Sequence, residues 1–182
     1  VLTPPEAAAG RPLRHEIQVH RHDGSALWMD LGVAPVYAEP GRLTHWVAVG
    51  RDISDHKAQD ARIRHLAFYD PLTDLPNRQL LIERLQQAMG DCARGGQYAA
   101  LLFIDLDNFK VLNDTRGHSQ GDLLLERVAQ RLTGSVRRAD LVARIGGDEF
   151  VVMLENLGAD AAAAEQKALI VANKVLARLA EP

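Results

Sequence analysis

This sequence has only one cysteine, no long apolar run and no excess of basic charge. The single cysteine, Cys92, excludes an intrachain disulfide and a multi-cysteine zinc site, and it suits a reducing cytoplasm. The longest apolar run, from Tyr98 to Ile104, is far shorter than the roughly 20 residues that span a bilayer. The sequence has 21 Lys and Arg against 24 Asp and Glu, which gives a net charge of -3. Because there is no basic excess, no nucleic-acid partner is expected. We therefore expect a cytoplasmic protein.

An initiator methionine and a signal peptide are also missing, since no basic region followed by an apolar stretch opens the sequence. We expect a segment of a longer chain, whose other parts could anchor it to a membrane. Apolar residues are abundant, at 47% of 182 positions. This is enough to form a buried core in at least one domain.

The first third of the sequence has the alternating pattern of β-strands. Apolar residues recur at every second position within residues 16–53, with turns at His22–Ser25 and Glu39–Gly41. This pattern predicts three antiparallel strands with one apolar face. Residues 55–69 then become polar and favour a helix with a thin apolar stripe, which predicts a connecting helix.

The remaining residues predict an α/β (α+β) fold, a small sheet with helices packed on it. The predicted order is helix, strand, helix, strand, strand, helix. The strand within Tyr98–Ile104 is apolar on both faces, as expected in the middle of a covered sheet, and it ends at Asp105. Leu141–Ile145 and Phe150–Leu154 form a candidate hairpin, and Ala161–Leu179 a final helix. So small a sheet would gain from another strand beyond residue 182.

Two adjacent glycines, Gly146 and Gly147, lie between the hairpin strands and are followed at once by Asp148 and Glu149. Such glycines permit a tight turn and let a ligand approach the backbone. If the strand ending at Asp105 pairs with this hairpin, three carboxylates come together and repel unless a cation or a raised pKa relieves them. All-oxygen ligation selects Mg²⁺ or Mn²⁺ and points to phosphoryl or nucleotidyl transfer. On spacing alone, a solvated turn is the alternative.

Five motifs in a fixed order make residues 70–182 resemble the GGDEF family of diguanylate cyclases. They are DPLTDLPNR at Asp70–Arg78, FIDLDNFK at Phe103–Lys110, ND with GHSQGD at Asn113–Asp114 and Gly117–Asp122, RRAD at Arg137–Asp140, and GGDEF at Gly146–Phe150. The resemblance implies a ferredoxin-like sheet of the cyclase palm type with packed helices.

The resemblance also implies a reaction and its metal site. Two GTP molecules would condense into cyclic di-GMP and two pyrophosphates, each 3′-hydroxyl attacking the other's α-phosphate. Asp105, the carbonyl of Leu106 and Asp148 would hold Mg²⁺ or Mn²⁺, and Glu149 would be a further ligand or assist deprotonation. Because one domain would hold one GTP, catalysis would require a homodimer.

Substrate binding is implied for Asn113 and Asp122, which would read guanine, and for Lys110, which would face phosphate. The Asp122 carboxylate would accept hydrogen bonds from N1–H and the exocyclic amine of guanine, donors that adenine does not present on that edge. Gly146 and Gly147 would let the nucleotide approach. The alternatives are a helix cap or dipole contact for Asp122 and a solvated side chain for Lys110.

Arg137 and Asp140 match the inhibitory RxxD motif of the family. They would bind the product cyclic di-GMP at a regulatory site, with the guanidinium recognising guanine or phosphate. The alternative is a solvated charge cluster near a helix end.

Residues 15–55 resemble the C-terminal part of a PAS sensor domain, through their strand pattern, Trp28 and the closing Asp52-Ile53-Ser54. We expect three segments: residues 1–54 as the end of a PAS domain, 55–69 as a signalling helix, and 70–182 as a GGDEF domain incomplete at its C-terminus. Further basic residues of the family that grip phosphates would lie beyond residue 182, so this segment alone should bind GTP weakly.

Three functions remain open from the sequence. The first is a sensor-regulated diguanylate cyclase. The second is a non-catalytic GTP-binding module that regulates an attached EAL phosphodiesterase, because Asn108 and the Leu154–Asn156 ending resemble versions found upstream of such domains. The third is a purely structural dimerisation segment.

Overall fold

The structure, a computed structural model, describes residues 12–39 and 41–181. The chain divides into two units with the boundary between Ile63 and Arg64, within a helix. Each unit has a three-stranded sheet of its own. In the described part of the chain, no helix has the length and apolarity needed to cross a membrane.

The first unit contains the predicted antiparallel sheet, in the order β1-β2-β3. Its strands are β1 (Leu13–His20), β2 (Ala26–Glu39) and β3 (Arg42–Asp52). In the first turn, Gly24 has φ +83° and Asp23 accepts hydrogen bonds from the amide and hydroxyl of Ser25, as is usual for Asp in turns. The second predicted turn includes Pro40, which lies outside the described residues.

The predicted connecting helix is α1 (Ser54–Phe68). Its first residue is fixed to β2, because the Ser54 hydroxyl accepts a hydrogen bond from the Trp28 amide at 2.9 Å. One turn later the Lys57 ammonium lies 5.4 Å from the centre of the Trp28 ring and pairs with Glu16. The start of the helix is thus attached to the sheet of the first unit.

The second unit has the predicted α/β architecture. Its elements are α2 (Arg78–Gly95), β4 (Ala100–Asp105), α3 (Phe109–Arg116), α4 (His118–Thr133), β5 (Leu141–Gly146), β6 (Glu149–Leu154) and α5 (Ala161–Leu179). The sequence predicts one helix between the first strand and the hairpin, whereas the structure has two. Gly117 separates α3 from α4, because its φ of +82° and ψ of 158° cannot continue a helix.

The sheet of this unit has the order β4-β6-β5, and both neighbouring pairs are antiparallel. Among the described strands the middle one is therefore β6, not the β4 segment that the sequence favours for that place. Exposure agrees with this order, since Phe150 to Leu154 are at most 1% exposed whereas Phe103 on β4 is 73% exposed.

Both faces of β6 are covered by helices. Phe150, Val152 and Leu154 belong to a core that includes residues of α4 and α5. Val151 and Met153 point the other way and pack with residues of α2. Burial of this strand between two helical layers fixes the register of the sheet, and with it the position of the turn between β5 and β6.

Candidate functional site

The end of β4 and the start of β6 lie side by side. Asp105 and Glu149 are direct register partners in the antiparallel β4–β6 ladder. Residues opposite each other in such a ladder have Cβ atoms about 5 Å apart and side chains on one face of the sheet. The predicted pairing of the buried strand with the hairpin is thus present, and it brings residue 105 to the two-glycine turn.

The turn itself is open. Gly146 and Gly147 have φ of 156° and 51°, and a Cβ atom built on either would meet no heavy atom within 4 Å. Gly147 lies in the left-handed region, where a side chain is strained even though space is available. The backbone of this turn is therefore accessible to a ligand.

A half-buried arginine holds the turn in place. Arg144, two residues before Gly146, donates hydrogen bonds from Nε and Nη2 to the carbonyl oxygen of Gly147 at 3.0 and 2.7 Å. Its Nη1 donates to Asp70 Oδ1 at 2.9 Å, and the two side chains are only 12% and 19% exposed. Sequence reasoning missed this residue, although a cation within an apolar strand was a usable signal.

Asp70 is the acidic partner that holds the Arg144 guanidinium in this position. Its Oδ1 also accepts hydrogen bonds from the amide and hydroxyl of Thr73, at 2.9 and 2.7 Å. Burial raises the pKa of Asp70, but the bonds from Thr73 and Arg144 outweigh it and hold the pKa below its usual value. The carboxylate is thus ionised at neutral pH and fixes the guanidinium against the turn.

The loop after β4 contains the other predicted ligands. The Leu106 side chain packs against the main core, while its carbonyl accepts a 3.3 Å hydrogen bond from the Phe109 amide. A carbonyl oxygen has two lone pairs, so this bond leaves one for another partner. Asn108, with φ +61°, is the N-cap residue of α3, and Lys110 is exposed on the first turn of this helix.

The residues predicted to read guanine lie on α3 and α4. Asn113 is half-buried, and Asp122 is exposed as the fifth residue of α4. A helix cap does not account for Asp122, because the N-cap position of α4 is Gly117 and no side chain caps this helix. Within the described residues, the only buried side-chain nitrogen or oxygen without a hydrogen-bond partner is Asn113 Oδ1.

Arg137 and Asp140 lie at the opposite end of β5 from the glycine turn. Asp140 Oδ2 accepts a hydrogen bond from the Arg137 amide at 2.9 Å, which shapes the loop before the strand. The exposed Arg137 lines a cavity of about 540 Å³ together with Asp74, Thr133 and Arg138. Because β5 spans six residues, roughly 20 Å separates this cavity from the turn.

The three predicted acidic ligands differ in exposure: Asp105 and Glu149 are exposed, and Asp148 is half-buried. Across residues 12–39 and 41–181, no three acidic, histidine or cysteine side chains are gathered as a metal-binding group. The donor set is nevertheless composed of hard oxygen atoms, the type that Mg²⁺ and Mn²⁺ bind. These residues fit a divalent cation by their chemistry, and the ligation itself stays a prediction.

Comparison with known proteins gives one family. The model for the diguanylate cyclase GGDEF domain matches residues 67–182. Among curated relatives, the bifunctional diguanylate cyclase/cyclic di-GMP phosphodiesterase MucR of Pseudomonas aeruginosa is 46% identical over 117 residues, 64% of this chain and 16% of its own length. The diguanylate cyclase TpbB of the same species is 42% identical over 124 residues, 68% of this chain and 27% of its own length. The chain thus spans about a quarter or less of these relatives.

Solved structures agree with the fold. The GGDEF domain of TpbB aligns with a TM-score of 0.58 and 42% identity, covering 63% of each chain. The coiled coil and GGDEF domain of DgcB from Caulobacter crescentus, solved in complex with c-di-GMP, aligns with a TM-score of 0.59 and 26% identity. That alignment covers 68% of this chain and 61% of DgcB.

Proposed function

Because the chain belongs to the GGDEF family of diguanylate cyclases, we propose that its protein condenses two GTP molecules into cyclic di-GMP and two pyrophosphates. One observation carries this proposal. The register pairing of Asp105 with Glu149 brings two carboxylates together beside a backbone turn that is open to a ligand. A polyanionic nucleotide can enter such a site only if the negative charges are compensated.

The compensating group is Mg²⁺ or Mn²⁺. Asp105, Asp148 and the Leu106 carbonyl would hold it, with Glu149 as a further ligand or as an aid to deprotonation of the 3′-hydroxyl. When bound, the ion supplies positive charge to the triphosphate. The chain itself contributes alignment, since Arg144 and Asp70 fix the turn on which Asp148 and Glu149 lie.

Guanine recognition is assigned to Asn113 and Asp122, and phosphate contact to Lys110. Asp122 is exposed and without a capping role, so its carboxylate is available to the N1–H and amine of guanine. Lys110 is exposed on the first turn of α3, the helix that follows the loop after Asp105. Two such sites must face each other for condensation, so the active form is a homodimer.

Inhibition by the product cyclic di-GMP is assigned to the cavity at Arg137 and Asp140. The exposed guanidinium of Arg137 and the cavity volume of about 540 Å³ support binding of a guanine base or a phosphate there. The DgcB structure with c-di-GMP supports product binding within this family. Binding at this cavity would be allosteric if it altered the arrangement of the two active domains.

Residues 1–54 are proposed as the end of a PAS sensor, residues 55–69 as its signalling helix, and residues 70–182 as the GGDEF domain. The attachment of α1 to β2 through Ser54 and Lys57 supports this division, because a movement of the sheet would displace the helix start.

A second function is retained because MucR, to which the chain is similar, is named both a diguanylate cyclase and a cyclic di-GMP phosphodiesterase, which associates a domain of this kind with phosphodiesterase activity in one protein. In that case the domain would bind GTP without converting it and would regulate an attached EAL phosphodiesterase that hydrolyses cyclic di-GMP.

The test is incubation of the complete protein with GTP and Mg²⁺, with cyclic di-GMP measured by mass spectrometry. Asp148→Ala should abolish the product, whereas Glu165→Ala, which removes an exposed carboxylate of α5, should not. GTP binding without product, together with GTP-stimulated hydrolysis of cyclic di-GMP, would favour the second function. Absence of GTP binding would contradict both and leave a structural dimerisation segment.

A further inference from the structure

Helices α3 and α4 approach each other at a glycine. Gly121, the fourth residue of α4, is buried, and α3 packs against this helix. A Cβ atom built on Gly121 would lie 2.0 Å from Asn113 Oδ1, 3.0 Å from Asn113 Cγ and 3.2 Å from Phe109 Cζ. The first of these distances is far inside any van der Waals contact. The Asn113 carboxamide therefore occupies the space that a side chain at position 121 would need.

Packing, not hydrogen bonding, holds the oxygen end of this carboxamide. Asn113 Oδ1 is buried and has no hydrogen-bond partner in the described residues. Buried polar atoms are nearly always paired, so an unpaired one is unusual outside a site that takes a ligand. Because no hydrogen bond holds Oδ1 in place, a side chain added at position 121 would displace this end of the carboxamide.

We propose that Gly121 is a positioning residue for nucleotide recognition, because its missing side chain leaves the space in which the Asn113 carboxamide is held. The proposal rests on the proposed function, in which Asn113 reads guanine. Gly121 itself touches no substrate and acts through Asn113.

The atoms around Gly121 indicate that its role is in positioning and not in folding. The atoms that a methyl group would meet belong to the ends of two side chains, and none of the three nearest is a backbone atom. A side-chain end can rotate away at small cost, and alanine is a better helix former than glycine. The fold should therefore survive Gly121→Ala, while the carboxamide moves and recognition weakens.

The experiment is a double-mutant cycle in the complete protein, with Gly121→Ala, Asn113→Ala and the combination of both. The probe is 3′-deoxy-GTP, which lacks the attacking hydroxyl, and its dissociation constant is measured by calorimetry with Mg²⁺ present. Thermal unfolding of each variant is recorded alongside. Gly90→Ala is the matched control, since it is also a helical glycine but would meet only the end of Arg94, at 3.4 Å.

Gly121→Ala and Asn113→Ala should each weaken binding about tenfold, the effect of one lost hydrogen bond to the base. In the Asn113→Ala background the carboxamide is gone and only the Phe109 ring end, at 3.2 Å, stays close to the added methyl group, so adding Gly121→Ala should change binding less than about twofold. Gly90→Ala should leave binding unchanged. In turnover, Gly121→Ala should raise KM for GTP more than it lowers kcat.

Four results would overturn the proposal, and they can be told apart. Unchanged binding in Gly121→Ala, or an equal loss with and without Asn113, would overturn it while the proposed function stands. A fall in thermal stability that the double variant shares would assign Gly121 to folding. Failure of the unmutated protein to bind 3′-deoxy-GTP would overturn the proposed function as well.

Discussion

Replacement of Arg144 by alanine should destabilise the second unit by about 3 kcal/mol. The guanidinium makes three hydrogen bonds, one to Asp70 and two to the Gly147 carbonyl. Breaking a buried ion pair costs about 3–5 kcal/mol, and exposures of 12% and 19% place this pair near the lower limit. Arg144→Lys should lose less stability than Arg144→Ala, because the ammonium keeps the positive charge beside Asp70. It should still be less stable than the unmutated protein, because an ammonium cannot bridge Asp70 and the Gly147 carbonyl as the guanidinium does.

The assay is denaturant unfolding at pH 7, compared with Arg178→Ala as a matched control. Arg178 forms an ion pair with Glu181 in which both side chains are more than half exposed, so its loss should cost less than about 1 kcal/mol. In Arg144→Ala the amide hydrogens of Asp148 and Glu149 should also exchange faster, because the turn loses its support. A cost equal to that of the control would refute this account of the turn.

The pH dependence of the same pair has a definite sign. The pKa of Asp70 is lower in the folded chain than its usual value of about 3.9, so the ionised carboxylate favours the folded state. This contribution is complete above about pH 5 and is lost as the pH falls through the folded pKa. Asp70→Asn should therefore flatten the acid limb of a stability profile between about pH 2 and 5, and an unchanged limb would contradict the assignment.

Three further substitutions test other parts of the fold. Asn77→Ala removes the N-cap that accepts two backbone amides of α2, so it should lower the unfolding free energy by about 1 kcal/mol, and a cost near zero would contradict the cap. Leu132→Ala empties a fully buried position and should cost about 2–5 kcal/mol in denaturant unfolding, whereas a cost below 1 kcal/mol would show a looser core. Lys57→Ala should shift the fluorescence of Trp28, which its ammonium covers, and an unchanged spectrum would contradict that contact.

The elements that the sequence predicts well are those with a strong local pattern. Period-two alternation identifies the strands of the first unit, and the apolar stretch ending at Asp105 identifies β4. The approach of Asp105 to Glu149 is expected on the condition that β4 pairs with the hairpin, and the β4–β6 register meets that condition.

Features that depend on contacts between residues far apart in the chain cannot be predicted from local sequence patterns. The middle position of β6 is set by which strands pair, and the apolar composition of β4 and β6 is too similar to decide it. The role of Arg144 requires Asp70, which is 74 positions away, to meet it in space. The break between α3 and α4 depends on the backbone angles of Gly117, and many helices contain a glycine without breaking.

Binding of a divalent ion at the glycine turn is the central claim, and it can be measured without turnover. Mn²⁺ is titrated into the complete protein with 3′-deoxy-GTP present, and free Mn²⁺ is followed by electron paramagnetic resonance. The account predicts tight binding that Asp105→Asn weakens at least tenfold, while Glu165→Gln on the exposed face of α5 leaves it unchanged. Equal Mn²⁺ affinity in Asp105→Asn and the unmutated protein would contradict the claim.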